Sequence, residues 1–165
     1  MKQIQLTQGL VALVDDEDYD YLMEFKWHAV KGRNTYYACN GRWDSILKKI
    51  IYTKMHRLIM KTPSNAVVDH RDRNGLNNQK ENLRNCIVSQ NNSNRRPRLG
   101  SSSRYLGVCM KTYKRVISFI AQITVNKQTI YLGSFGKEED AALAYNQAAI
   151  KYHGCFSRLN IIFHE

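Results

Sequence analysis

Paired cysteines are missing from this chain. Its four, Cys39, Cys86, Cys109 and Cys155, stand singly with no Cys-x-x-Cys among them. That spacing argues against a zinc-stapled fold and leaves free thiols in a reducing compartment as the expectation. Long apolar runs are missing too: nothing approaches the roughly 18 residues of a membrane span, and the N-terminus has no signal-peptide core. A soluble, intracellular protein with no membrane partner is expected. Acidic residues are scarce, 14 against 25 Lys and Arg, for a net charge of +11, which favours a polyanionic partner, nucleic acid first. The imbalance is local. Residues 1–53 carry 7 basic and 7 acidic side chains, residues 54–103 carry 10 and 3, and residues 104–165 carry 8 and 4. A merely solubilising surface would not need that asymmetry. At 165 residues there is room for one ordinary domain or two small ones with modest cores.

Residues 2–14 alternate as a β-hairpin around Gly9 (Ile4, Leu6, then Leu10, Ala12, Val14). Asp15-Asp16-Glu17-Asp18 supplies helix-initiating acids, and Tyr19, Leu22, Met23 and Phe25 suggest a short amphipathic helix. A turn at Lys31-Gly32-Arg33-Asn34 leads into strand-like Thr35-Tyr36-Tyr37-Ala38. Residues 50–60 read as a helix stopped by Pro63. Residues 96–103, with Pro97, Gly100 and three serines, read as a basic linker, and Arg96 and Arg98 there, with Arg95 just before it, would suit a phosphate-tracking arm. Beyond it come three strands and a helix. Leu106, Val108 and Met110 alternate. Phe119, Ala121, Ile123 and Val125 face opposite to Ile120, Gln122 and Thr124, and Asn126-Lys127 turns into Thr129-Ile130-Tyr131-Leu132-Gly133. Ala141, Ala144, Tyr145, Ala148 and Tyr152 repeat at helical spacing up to Gly154.

The chemistry concentrates in Val68-Asp69-His70-Arg71-Asp72, with Asn82 twelve residues after His70 and Asn91 nine further on. An imidazole can take the proton of an attacking water near neutral pH, so His70 is the candidate general base. Asp69 offers a hard oxygen ligand and Asn91 a second, with phosphate and water completing an octahedron that suits one Mg²⁺ (or Mn²⁺) ion per site. Asn92 and Asn94 also sit near the start of that helix, so the second ligand is Asn91 or one of these neighbours. Asn82 is expected to brace the loop and orient His70, Ser89 to cap the helix carrying Asn91, and Asp72 to shape a turn. His56 is expected to be structural or phosphate-contacting.

Asp69-His70-x-Asp72-x-Asn74, Asn77-Asn78, Glu81-Asn82-Leu83-Arg84 and Ser89-Gln90-Asn91 together resemble the HNH motif of phage and intron-encoded homing endonucleases. The likeness is to the subfamily whose last histidine is replaced by asparagine. Met55-His56-Arg57-Leu58-Ile59 is similar to the His-Arg-Leu segment that commonly precedes the motif. The resemblance implies a ββα-metal nuclease module over residues 1–95, with its core motif at 54–95, acting on double-stranded DNA in the cytoplasm (the host's, if the chain is phage-encoded).

Tyr105-Leu106-Gly107-Val108, Phe119-Ile120-Ala121-Gln122-Ile123, Tyr131-Leu132-Gly133-Ser134-Phe135, Glu138 to Tyr145 and Leu159-Asn160 look like an AP2/ERF domain over residues 104–160. That family lays its three-stranded sheet into the DNA major groove. Carried over by position, Lys111, Tyr113, Gln122, Thr124 and Tyr131 would face DNA, with Lys114 and Arg115 meeting phosphate. Cys109 and Thr124 stand where the plant regulators place arginines, which implies weaker or different base reading. The expected fold class is therefore α+β: a ββα-metal unit, then a three-stranded antiparallel sheet with one helix. The expected function is homing-type DNA cleavage. A DNA-binding regulator with a vestigial nuclease unit is the rival, and a nuclease acting on RNA or branched DNA the third reading, disfavoured because the A-form major groove is too narrow to read.

Overall fold

The computed structural model describes residues 1–95, Pro97 and 100–162. Two of the expected DNA contacts, Arg96 and Arg98, lie outside the described residues. Among the described residues the chain is mixed α and β with four small antiparallel sheets, an α+β architecture, and it forms two compact units, Met1–Asn91 and Asn92–Glu165.

In the first unit, β1 (Lys2–Gln5) and β2 (Val11–Val14) form a hairpin, followed by α1 (Asp16–Met23). A three-stranded sheet follows, in the order β3 (His28–Lys31), β4 (Tyr36–Asp44), β5 (Lys49–Lys54), and then the short helix α2 (Met55–Ile59). The segment read as a helix over residues 50–60 is thus a strand up to Lys54. Ile50, Ile51, Tyr52 and Thr53 are β-branched or aromatic residues that fit a pleated surface, and pairing with β4 decides the matter. Alternation places Ile4, Leu6, Ala12 and Val14 inward, and they pack with Leu22, Trp27, Ala29, Ala38 and Met55 into one core. Trp27 donates Nε1–H to the Leu22 carbonyl at 2.7 Å, so the indole enters the core with its polar atom satisfied. Of the apolar residues expected on α1, only Leu22 is buried.

The last part of this unit is a two-stranded ribbon, β6 (Val67–His70) and β7 (Leu83–Cys86), leading into α3 (Val88–Ser93). Arg57, at the centre of the His-Arg-Leu segment, fastens the approach to β6. Its guanidinium donates to the carbonyls of Ala66 (2.9 Å), Thr62 (3.3 Å) and Pro63 (2.9 Å).

In the second unit, β8 (Val108–Tyr113), β9 (Val116–Val125) and β10 (Gln128–Phe135) form a sheet with β9 central, and α4 (Glu138–His153) packs against it. Both hairpin turns put two non-glycine residues at positive φ, Lys114-Arg115 and Asn126-Lys127, the geometry that matches strand twist. One face of α4 buries Ala141, Ala142, Tyr145, Ala148 and Ala149. Tyr152, expected on that face, is instead 40% exposed. The small alanine side chains let the helix lie close to the sheet, and Gly154, at φ +53°, ends it. Asn160 completes the unit. Its side chain accepts the Leu106 N–H at 2.7 Å and donates to the Leu106 carbonyl at 3.0 Å, standing in for a missing strand partner. Ser102 and Ser103, read as linker, accept the N–H groups of Met110 and Tyr105, both at 3.0 Å.

Candidate active site

The loop between β6 and β7 is a chain of side-chain to backbone hydrogen bonds, which is why asparagine and aspartate crowd it. Asp72 Oδ1 accepts the Asn74 N–H at 2.8 Å and its Oδ2 accepts from the Asn77 side chain at 2.8 Å. Asn82 closes the loop from the far end. Its Oδ1 accepts the Asp72 N–H at 3.0 Å, and its Nδ2 donates to Asp72 Oδ1 (3.0 Å) and the Asn77 carbonyl (2.8 Å). The loop is also docked on β2: Leu13 and Leu76 share one backbone bond, and Leu13 and Asn78 the next, each 2.8 Å. The acids at the start of α1 hold it from the side. Asp15 makes no capping bond to its own helix. It accepts the Lys80 N–H at 2.7 Å, while the Lys80 ammonium pairs with Glu17 and Asp18.

This scaffold holds His70 at the end of β6, buried, with its Nε2 3.3 Å from Asn78 Oδ1. Asn78 Nδ2 donates to the Leu76 carbonyl at 3.3 Å, which fixes the amide orientation and makes its oxygen the acceptor. The proton of a neutral His70 therefore sits on Nε2 and the lone pair on Nδ1. Asn78, fully buried, is the residue that sequence reasoning missed. The orienting role assigned to Asn82 is shared: Asn82 braces the loop, and Asn78 touches the ring. Two more residues close on His70. The rings of His56 and His70 lie 5.0 Å apart, and Tyr37 stands edge-on to His56 at 5.5 Å and tilted to His70 at 5.9 Å. Gly75 permits this packing, because a Cβ there would lie 2.4 Å from the Tyr36 carbonyl and 2.6 Å from the Tyr37 ring.

Burial pushes the His70 imidazole below its ordinary value, against the opposing pull of Asn78, Asp72 and Asp69. Burial acts harder on His56, pushing it down to about 3, assisted by the charges of His70, Lys54 and Arg57. Among the described residues, the buried His56 Nδ1 has no hydrogen-bond partner. Protonating His56 is thus far easier in the unfolded chain, near pH 6.5, than in the folded one. Its contribution to stability is complete above about pH 6.5 and is lost as pH falls toward 3. Between pH 6.5 and 5 the loss should be about 2 kcal/mol, from about 1.4 kcal/mol per pH unit for one proton. Urea titrations across this range should show that slope in wild type and a flatter one in His56→Leu. Equal slopes would remove the buried, neutral His56 from the account.

Asp69 pairs opposite Arg84 and His70 opposite Leu83, so the two neighbours leave the ribbon on opposite faces. Asp69 is buried, and its Oδ2 accepts from Arg84 Nε at 2.7 Å and Nη2 at 2.5 Å. Asn91 lies on α3 and is exposed. Ser89 does not cap this helix: α3 begins at Val88, so Ser89 is already inside it, and Gln90 Oε1 reaches back to the Ile87 N–H at 3.0 Å, half of a capping box. Cys86 ties the two candidate ligands together. Burial pushes its thiol up, while the nearby backbones of Asp69 and Asn91 pull it back down, so both residues lie close to one sulfur. Asn94, an alternative for the second ligand, is buried, while Asn92 is exposed.

In the second unit, strand register puts Lys111, Tyr113, Gln122, Thr124 and Tyr131 on one face of the sheet, all exposed. Lys114 and Arg115 form the exposed turn between β8 and β9, and Arg95 is exposed as well. Cys39, Cys86 and Cys109 are free thiols, and no helix among the described residues is long and apolar enough to cross a membrane.

A two-stranded ribbon ending in Asp-His, an asparagine-braced loop and a following helix accord with the sequence comparison: the chain belongs to the HNH endonuclease family. Over 158 residues it is 31% identical to a protein of Acanthamoeba polyphaga mimivirus named as an uncharacterized HNH endonuclease, a match spanning 94% of this chain and 77% of that protein. No protein-family model matches the chain. HNH endonucleases generally use divalent metal ions. Among the described residues, no group of three or more His, Cys, Asp or Glu side chains is gathered to hold one. Asp69 carries a carboxylate, held by Arg84, and Asn91 an exposed amide oxygen, hard donors of the kind divalent ions accept.

Proposed function

We propose that this protein is a metal-dependent DNA endonuclease of the homing type, cutting phosphodiester bonds in duplex DNA to which its second unit docks. The observation that carries the reading is His70, buried at the end of β6 and held in place by Asn78, whose Oδ1 lies 3.3 Å from its Nε2. A base whose ring cannot rotate is one condition for taking a proton from a positioned water. In the reaction, water oxygen bonds to phosphorus, the bond to the leaving sugar oxygen breaks, and the water proton passes to His70. Asp69 and Asn91 would hold the divalent ion, which when bound neutralises charge on the phosphate and the leaving oxygen. Asn82 keeps the loop closed and so keeps His70 in place.

The likeness to AP2/ERF domains supports the docking role. Lys111, Tyr113, Gln122, Thr124 and Tyr131 share one exposed face; Lys114, Arg115 and Arg95 are exposed too, and these three with Arg96 and Arg98 would meet phosphate. The domain division follows the same reading: a nuclease module over 1–95, a basic linker over 96–103 and a docking module over 104–160. Phosphate neutralisation of this kind makes binding fall steeply with salt.

Supercoiled plasmid is the first test. With Mg²⁺ or Mn²⁺ the protein should nick or linearise it. EDTA should suppress cleavage by at least about 100-fold, since an ion that stabilises transition-state charge contributes several kcal/mol. Binding without cleavage under every metal condition would reduce the protein to a DNA-binding regulator, and preferential cutting of an RNA substrate would shift the reading to that polymer.

A further inference from the structure

We propose that the β4–β5 hairpin is a second duplex-DNA docking surface, an arm that leaves the candidate active site and grips the DNA beside the cut. The hairpin is the most exposed apolar feature of the first unit. Trp43 is 62% exposed and Ile46 89% exposed, and Leu47, Ile50 and Tyr52 are open to solvent as well. Every residue of β5 is exposed. So much apolar surface on a basic, water-facing hairpin calls for a partner.

Register shows where the surface leads. Trp43 pairs with Ile50, Gly41 with Tyr52 and Cys39 with Lys54, so these side chains share one face, and Tyr37 joins them by alternation along β4. Gly41 keeps the file continuous: a Cβ there would lie 3.0 Å from Ile50 and 3.2 Å from Tyr52, so both side chains lean over bare backbone. Lys54 Nζ stands 5.2 Å over the Tyr37 ring, and Tyr37 touches both His56 and His70. One face therefore runs from His70 to the hairpin tip. At about 3.3 Å per residue it extends roughly 20 Å, the length of about six nucleotides along one strand.

Charge chooses the occupant. The hairpin carries Arg42, Lys48, Lys49 and Lys54 against a single acid, Asp44, whose Oδ1 is engaged by the N–H groups of Ile46 and Leu47 at 3.0 and 2.8 Å. Cations beside exposed aromatic and aliphatic side chains suit a nucleic acid, with phosphates at the edges and bases or sugars under the apolar tip, and a two-stranded ribbon has the width to enter a duplex groove. A second copy fits less well. Strand β5 is an unpaired edge, but antiparallel pairing with itself about its centre sets Lys49 opposite Lys54 of the other copy, a like-charge pairing.

The inference rests on the nuclease reading only for where the cut falls, and the contact can be read without cleavage. The chain has two tryptophans: Trp27 is buried and Trp43 exposed, so acrylamide quenches chiefly Trp43. The full-length protein, in EDTA at low salt, is titrated with a mixed-sequence duplex of about 30 base pairs while anisotropy of the labelled duplex reports binding. Saturation should cut Trp43 quenching at least about threefold, and high salt should restore it. The double variant Trp43→Ala, Ile46→Ser, which alters only exposed positions, should bind the duplex about tenfold more weakly. Undiminished quenching in the bound complex overturns the proposal. So does a dimer in sedimentation whose Trp43 is shielded before DNA is added, which would assign the face to self-association. Parallel plasmid cleavage with Mg²⁺ separates the two readings: shielding without cleavage leaves the arm standing and removes the nuclease, and cleavage without shielding does the reverse.

Discussion

Replacing His70 with alanine should lower plasmid cleavage by about 1,000-fold or more while duplex binding changes by less than about twofold, since a positioned general base contributes roughly 100- to 10,000-fold. The upper part of that range is expected because His70 is buried and locked, so no bulk-water base replaces it at the same point. Its Nε2 faces Asn78 Oδ1 at 3.3 Å, and its ring is packed by His56 and Tyr37. Binding should survive because the exposed basic and aromatic side chains proposed to meet DNA lie elsewhere. Asn78→Ala gives a graded companion. It leaves the imidazole present but its tautomer and angle unheld, so cleavage should fall about 10- to 100-fold, as for groups that orient a reacting side chain. Because Asn78 also bonds backbone and is wholly buried, its variant is read against its melting temperature. Residual cleavage above a tenth of wild type in His70→Ala would take the base role away from this residue.

How far the site could be read in advance depended on sequence distance. Asp69, His70 and Asn82 declare themselves by spacing because the ribbon and its loop are local, and a strand, an asparagine-rich turn and a strand carry their geometry in a short stretch of chain. The C-terminal sheet was equally legible: period-two alternation fixes which residues share a face, and no packing contradicts it. The side chains that close on His70 were not legible. Tyr37 arrives from β4 and His56 from α2, and only tertiary packing brings them to one point. Asn78 was hidden differently, as one asparagine among several in a loop where most make turn bonds. Two local errors have the same origin. Residues 50–54 have helix-compatible hydrophobicity, yet β-branched side chains and the neighbouring β4 make them a strand. The acids 15–18 read as helix-initiating charge, and Asp16, Glu17 and Asp18 do occupy the first turn of α1. Asp15, Glu17 and Asp18 also clamp the loop between β6 and β7 through Lys80, a contact no local pattern announces.

Gly107→Ala should destabilise the second unit by about 3 kcal/mol, a large share of its stability, since overpacking costs about 1–3 kcal/mol and a left-handed alanine roughly 1 more. Gly107 has φ +76°, and a Cβ built there would lie 1.9 Å from the Tyr145 ring and 2.8 Å from the Gln122 carbonyl. Neither neighbour can give way. Tyr145 is buried on the inner face of α4 among Leu106, Ile123 and Ala148, and the Gly107 carbonyl itself accepts the Gln122 N–H at 2.8 Å. The substitution therefore pushes the helix off the sheet that carries Gln122, Thr124 and Tyr131. A domain of some seventy residues has only about 4–10 kcal/mol to lose. Gly154→Ala is the control within the same unit: φ is again positive, at +53°, but nothing lies within 4 Å of the added carbon. It should cost about 1–3 kcal/mol, all of it backbone strain, because φ +53° with ψ -130° is sparsely populated for any residue with a Cβ. Hydrogen exchange along α4 reads both variants, and in Gly107→Ala the loss of protection should be accompanied by at least about tenfold weaker duplex binding if the sheet is the docking surface. Equal effects from the two alanines would show that backbone conformation alone, and not the close approach of α4 to the sheet, sets the requirement for glycine at position 107.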